Sequence, residues 1–267
     1  MFGKNEIVGR MPATDRKELN VTSIFPTLQG EGPFSGKRAV FLRLAKCNLA
    51  CSFCDTFFDA GNILSFDQID QRLSEAATSV GYGYWGLVVT GGEPMLQDNL
   101  ATFLREDRHA WDWVQIETNG ILYQDLPDDV ILVVSPKCIE KMVDGSMQAT
   151  RYRKPHRKIL ERADCLKFVM RAGSGPYSTV PDWAFDWRDL TKKEIYVSPM
   201  NHYLREPEKS KGGSISDRSD QDEMISFWEQ GLLDRGANQA NHEYAANYAL
   251  KHELRFQVQT HLYASLR

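Results

Sequence analysis

Short apolar runs and segments with helical spacing alternate along this chain of 267 residues. Arg38–Leu44, RAVFLRL, is β-rich and stops just before a crowd of cysteines, which predicts a strand leading into a loop. Across residues 66–77, Phe66, Ile69 and Leu73 fall on one helical face, and Ser65 stands where an N-cap belongs. The same reading predicts strands at 85–92, 129–137, 165–170 and 194–200, a strand with its loop at 113–120, and helices at 98–106 and 241–252. Residues 255–263 read as a terminal strand. Residues 1–20 have no such pattern and read as an N-terminal arm or leading segment, with residues 21–267 forming a single domain. Within that domain, residues 206–223, EPEKSKGGSISDRSDQDE, read as a solvated polar insertion loop.

Several predicted strands are almost continuously hydrophobic, as in a parallel sheet covered on both faces. Polar and glycine-rich groups recur at their C-terminal ends, at Cys47, Thr90 to Glu93, Glu117 to Asn119, Ser135 to Lys137 and Ser198 to Met200. That is the end on which barrels and open α/β folds build their sites. About six strands are too few for eight-stranded closure, so the predicted class is α/β, an abbreviated (partial) TIM-like barrel of about six mainly parallel strands.

Composition narrows the function classes. The chain is 42% apolar and 25% charged, and 32 Lys plus Arg against 36 Asp plus Glu leave a net charge of −4. This balance offers no field for tracking a nucleic acid, although a local basic pocket for one small acidic substrate remains compatible with it. No window has the apolar length of a membrane span, and the first residues carry no apolar signal core, so a cytoplasmic protein is expected. Three of the five cysteines crowd into Cys47, Cys51 and Cys54, spaced CxxxCxxC. A disulfide framework would spread its partners, and a structural zinc would ordinarily take four protein ligands. Three thiolates suit a 4Fe–4S cluster that leaves one iron open to S-adenosylmethionine. Cys138 and Cys165 are then left as buried small apolar residues.

The CxxxCxxC loop after a strand, followed one β-α unit later by TGGEPML at Thr90 to Leu96, resembles the radical S-adenosylmethionine (SAM) superfamily, in which the GGEP segment lines the methionine moiety of the cofactor. The chain also carries LQGEG at Leu28 to Gly32, Arg43 four residues before Cys47, and CDT at Cys54 to Thr56. With ETNG at 117–120, SPK at 135–137, LKFV at 166–169 and QTH at 259–261, these motifs resemble the 7-carboxy-7-deazaguanine synthases over almost the whole chain. The resemblance implies a radical SAM core that turns 6-carboxy-5,6,7,8-tetrahydropterin into 7-carboxy-7-deazaguanine with loss of ammonia, on the route to queuosine and related 7-deazapurines. It further implies a 4Fe–4S cluster, S-adenosylmethionine and Mg²⁺ as cofactors, an external electron donor such as flavodoxin or ferredoxin, and a homodimer without direct contact to nucleic acid or membrane.

Carried over residue by residue, the resemblance implies that Cys47, Cys51 and Cys54 hold the cluster and that Thr56 is a Mg²⁺ ligand. Leu28, Gln29, Gly30, Glu31, Arg43, Thr90 and Lys167 are expected at the substrate, with Arg43 presenting a two-pronged guanidinium to the pterin carboxylate. Phe53, Cys54, Asp55, Gly92, Glu93, Glu117, Asn119, Ser135, Pro136 and Lys137 are expected at S-adenosylmethionine. His261 is followed by Leu262 where family members often have lysine, and it is read as a structural histidine. Two other readings remain at this point: a radical SAM activase or other radical SAM enzyme, and a zinc-binding structural or RNA-interaction protein.

Overall fold

The structure is a computed structural model that describes residues 6–9, 11, 15–144, 146–204 and 226–266. The expected loop at 206–223 lies outside the described residues, as do residues 1–5, 10 and 12–14 of the N-terminal arm.

A nine-stranded sheet runs in the order β11-β10-β9-β6-β5-β4-β2-β1-β3. Its centre is six parallel strands: β2 (Arg38–Leu44), β4 (Gly86–Gly91), β5 (Trp113–Thr118), β6 (Ile131–Val134), β9 (Cys165–Met170) and β10 (Glu194–Pro199). The two-residue β11 (Arg255–Phe256) adds in parallel at one edge, while β1 (Glu18–Leu28) and β3 (Asn62–Ser65) are antiparallel at the other. The edge strands β11 and β3 do not pair among the described residues, so the sheet stays open, as a partial barrel requires.

Helices α1 (Phe66–Val80), α2 (Leu100–Asp107), α3 (Arg157–Arg162), α4 (Asp182–Thr191) and α5 (Arg235–His252) connect the strands. The first is fixed where the sequence placed it. Ser65 Oγ accepts from Gln68 N, Gln68 returns a bond to Ser65 N, and Phe66, Ile69 and Leu73 are buried. Strand alternation assigns the two sheet faces different tasks. Leu42, Val89, Ile116, Leu166 and Phe168 point into the hydrophobic core, whereas Arg43, Glu117 and Lys167 point to the inner face. Strands β2, β5 and β9 therefore each place one charged residue beside the site.

Three differences from the sequence reading have clear causes. The leading segment is shorter than expected, because strand pairing with β3 begins at Glu18. Residues 255–263 do not form a strand throughout: pairing stops at Phe256, and α6 (Thr260–Tyr263) turns the chain inward. Gln257 still donates from its backbone N to Val197 O of β10 at 3.0 Å while its Oε1 accepts from Gly32 N at 2.7 Å, and beyond it the chain leaves the sheet for α6. Finally, β7 (Cys138–Val143) and β8 (Ser146–Tyr152) form a separate hairpin whose mixed polar sequence has no strand alternation to announce it.

Candidate active site

The C-terminal ends of the six central strands open into one cavity of about 270 Å³. Cys47, Cys51 and Cys54 line one corner, on the loop that follows β2. Val8 N donates to Cys47 O at 2.8 Å, so a piece of the N-terminal arm braces the first cysteine. Ser52 N, between the other two, donates to Glu140 Oε2 at 2.8 Å, and Tyr177 OH donates to the second oxygen of Glu140 at 2.9 Å. The Phe53 ring meets Tyr177 edge-on. The hairpin thus grips the cysteine loop from outside.

Two glycines hold it from the other side. A Cβ at Gly91 would lie 2.1 Å from Leu44 O, and one at Gly92 would lie 2.1 Å from Lys46 O. Only a bare backbone lets the turn after β4 come this close. Glu93 follows but stands behind the wall, fully buried, accepting from Thr118 Oγ1 at 2.7 Å, Asn119 N at 2.8 Å and Met95 N at 3.0 Å. Burial raises its pKa, opposed by these donors. Asn119 in turn donates to Asn48 Oδ1 at 2.7 Å. Glu93 therefore ties the turns after β4 and β5 to the cysteine loop.

The opposite corner is charged. Lys167 Nζ donates to Glu31 Oε2 and Glu117 Oε2, each at 2.7 Å, and Glu117 Oε1 accepts from Gln29 and Gln115, each at 3.1 Å. Burial works against the Lys167 ammonium, but the two carboxylates outweigh it and raise its pKa. Burial likewise opposes the Glu117 carboxylate, yet Lys167 and Gln29 hold its pKa below the ordinary range. Arg43 stands beside Thr90 in the β2–β4 register and donates to Thr56 Oγ1 at 2.7 Å, while Thr56 donates to Asp55 Oδ1 at 3.2 Å. Lys137 donates to Ser135 O at 2.7 Å and Ser135 Oγ at 2.6 Å, and its burial lowers its pKa.

Most residues expected from sequence meet here: Gln29, Glu31, Arg43, Phe53, Asp55, Thr56, Thr90, Gly92, Glu117, Asn119, Ser135, Lys137 and Lys167 line the cavity with the three cysteines. Leu28, Gly30, Glu93 and Pro136 are not on its wall. Gly30 backs onto His261 instead. Sequence reasoning missed a neutral polar section of wall. Asn201 Nδ2 donates to Gln259 Oε1 at 2.6 Å, and Gln259 Nε2 donates to Asp55 Oδ2 at 3.1 Å. His261, read as structural, also lines the cavity, and burial lowers its pKa. Polar residues at the end of β10 and the QTH string were the available signals.

The donor set fits a cluster. Burial pushes the three thiols up to about 12 (Cys47), 11 (Cys51) and 12 (Cys54), so as thiolates they need a strong positive partner, which iron provides. Among the described residues no three His, Cys, Asp or Glu side chains close around a single ion. The thiols share a cavity, as ligands to the corners of a larger cluster would. For Mg²⁺ the offer is smaller: Thr56 presents one neutral oxygen, already bonded to Arg43, so water and substrate oxygens would have to complete the shell.

Residues 43–173 match the Radical SAM superfamily. A 7-carboxy-7-deazaguanine synthase of Rickettsia prowazekii is 32% identical over 100% of this chain and 96% of its own length. The chain belongs to the 7-carboxy-7-deazaguanine synthase family. Two further members, from Rhodospirillum rubrum and Methanospirillum hungatei, are 37% and 39% identical over 65% and 71% of this chain and 67% and 76% of their own. The crystal structure of QueE from Escherichia coli shares the fold, with a TM-score of 0.54 and 19% identity over 91% of this chain and 94% of that one. Membership in this radical SAM family brings a 4Fe–4S cluster and S-adenosylmethionine, and a family of 7-carboxy-7-deazaguanine synthases is one of enzymes acting on a small molecule. Among the described residues no helix is long and apolar enough to cross a membrane.

Proposed function

We infer that this radical SAM lyase contracts the ring of 6-carboxy-5,6,7,8-tetrahydropterin to 7-carboxy-7-deazaguanine with release of ammonia. One observation carries the assignment: three thiols and a buried Lys167–Glu31–Glu117 network face each other across one cavity with Arg43 on its wall. A bare radical SAM site for activating a peptide gives no reason for that network. When bound, the cluster and S-adenosylmethionine supply reductive cleavage and hydrogen abstraction.

The chain's own residues then bind and orient. Cys47, Cys51 and Cys54 hold the cluster, and the bare backbone of Gly92 admits the cofactor's close approach. Phe53, Asp55, Asn119, Ser135, Lys137 and Glu117 surround S-adenosylmethionine. Arg43 offers the pterin carboxylate a charge-assisted fork, with Thr56 fixing its angle through the 2.7 Å bond. Glu31 and Gln29 present acceptor and donor atoms to the pterin edge. Lys167 donates to Glu31 Oε2 at 2.7 Å and so fixes the carboxyl's orientation, which points its other oxygen to accept from the substrate's N–H groups. Gln259 and Asn201 hold Asp55 in place.

Mg²⁺ at Thr56, an external flavodoxin or ferredoxin, a homodimer, a cytoplasmic location and one radical SAM domain over residues 21–267 belong to the same proposal. The experiment is anaerobic reconstitution, followed by reaction with S-adenosylmethionine, Mg²⁺, dithionite and the pterin. 7-Carboxy-7-deazaguanine and ammonia should appear in equal amounts. Release of 5′-deoxyadenosine without that product would reassign the substrate, and colourless protein holding zinc would overturn the cluster.

A further inference from the structure

A cationic strip starts on β8 of the hairpin that grips the cysteine loop and runs through the loop after it into the first turn of α3. Arg151, Arg153, Lys154, Arg157 and Lys158 place five positive side chains within eight residues, and all five are exposed. The strip is fastened to the rim of the cavity at two points. Arg153 N donates to Lys137 O at 2.9 Å, at the end of β6, and His156 N donates to Gly120 O at 2.8 Å, beyond β5. Tyr152, between the first two arginines, is buried and donates to Val169 O, which keeps its neighbours turned outward. Arg157 pairs with Glu161 at 3.3 Å, and Lys158 lies over the Tyr123 ring. Among the described residues Arg151, Arg153, Lys154 and Lys158 form no ion pair.

On a chain of net charge −4 this strip opposes the overall field. An acidic protein is repelled elsewhere and drawn here, which orients its approach as well as speeding it. The partner strand of the hairpin carries Glu140, bonded to Ser52 N between Cys51 and Cys54. A protein seated on the strip would thus be separated from the cysteine loop by a single hairpin.

We propose that the strip from Arg151 to Lys158 is the docking surface for an acidic one-electron carrier protein that reduces the cluster. This rests on the cluster assignment made above. In the step, the carrier is oxidised by one electron and the cluster is reduced by one, with no bond or proton transferred.

The test compares the wild type with R151E/R153E/K154E, none of whose sites line the cavity. With dithionite as reductant, iron content and 5′-deoxyadenosine release should match the wild type, which establishes fold and cluster. With photoreduced flavodoxin, the rate of cluster bleaching should fall at least tenfold. Equilibrium binding of oxidised flavodoxin should weaken in parallel, and the wild-type affinity should drop as salt is raised from 50 to about 300 mM, where screening shortens the Debye length. An unchanged flavodoxin rate alongside normal dithionite activity would overturn the docking surface and leave the cluster standing. Loss of RNA oligonucleotide binding with flavodoxin reduction intact would assign the strip to a polyanion instead, and so also overturn it. Wild-type protein inactive with dithionite would count against the radical SAM reading itself.

Discussion

At the polar corner Lys167 holds two carboxylates at 2.7 Å, and Glu117 accepts from Lys167, Gln29 and Gln115. At the sulfur corner the bonds are weak ones, 3.4 Å from Leu49 N to Cys47 Sγ and 3.5 Å from Cys54 Sγ to Thr56 O. Both corners are buried and both are made of titratable groups, yet the first supplies its own counter-charges and the second awaits them from outside. Self-sufficient charge is part of the folded state's stability, because removing one member strands the others. A ligand set that awaits a guest contributes to function first.

Changes at the sulfur corner should therefore show the largest loss of activity at the smallest loss of fold. Cys51→Ala is expected to abolish 5′-deoxyadenosine release and cut iron content, while the urea midpoint of the metal-free protein stays close to wild type. Normal iron and cleavage would remove Cys51 from the cluster. At the polar corner Lys167→Met should reverse the pattern. It leaves Glu31 and Glu117 charged without their cation and should cost about 3–5 kcal/mol of stability, measured by urea unfolding.

The pH response sharpens this contrast. In the wild type the folded Glu117 carboxyl lies below its unfolded pKa, so its contribution is present above the unfolded pKa and lost as pH falls through the lower folded value. In Lys167→Met burial acts unopposed by that cation and favours the neutral acid, so stability should improve as pH falls from 7 to 5. A variant that weakens on acidification across that range would show that Lys167 is not what holds the Glu117 pKa down.

Smaller effects are expected where the corners meet. Arg43→Lys keeps the charge but loses the fork, and should raise the pterin KM about 10- to 100-fold, the scale of a hydrogen bond to a charged group, with less effect on S-adenosylmethionine. Equal weakening of both would place Arg43 at the cofactor. Thr56→Ala removes one acceptor from Arg43 and should cost about 1 kcal/mol or less in stability. If Thr56 is a Mg²⁺ ligand, the Mg²⁺ concentration for half-maximal product formation rises as well; an unmoved Mg²⁺ titration would defeat that role.

How far the sequence could be read depended on the distance between cause and effect. Helix α1 was legible because Ser65, Gln68 and the apolar stripe behind them lie within one short segment. The cysteine loop and TGGEP were legible because each motif is local, and their meeting follows from adjacent parallel strands. Gln259 and Asn201 were only faintly marked: the QTH string contains Gln259, but neutral side chains in irregular segments become a wall only when α6 folds inward. Glu93 was found, but its direction was not, since a motif names a residue without saying whether it faces the cavity or supports it from behind. The hairpin escaped because its strands pair with each other outside the main sheet and reach the core through only a few residues such as Cys138 and Tyr152, too few to leave a periodic signal.

The bond from Gln259 to Asp55 spans 204 residues of chain, and it has a consequence for biogenesis. A ribosome adding roughly 5–20 residues per second reaches Gln259 some 10–40 s after it has passed the cysteine loop. Throughout that interval the nascent thiols lack the section of wall that later shelters them. Iron delivery has an open doorway during translation, and so does oxygen. Slowing synthesis across the second half of the message would lengthen both exposures together, so the yield of intact cluster should depend on elongation rate more strongly under air than under nitrogen.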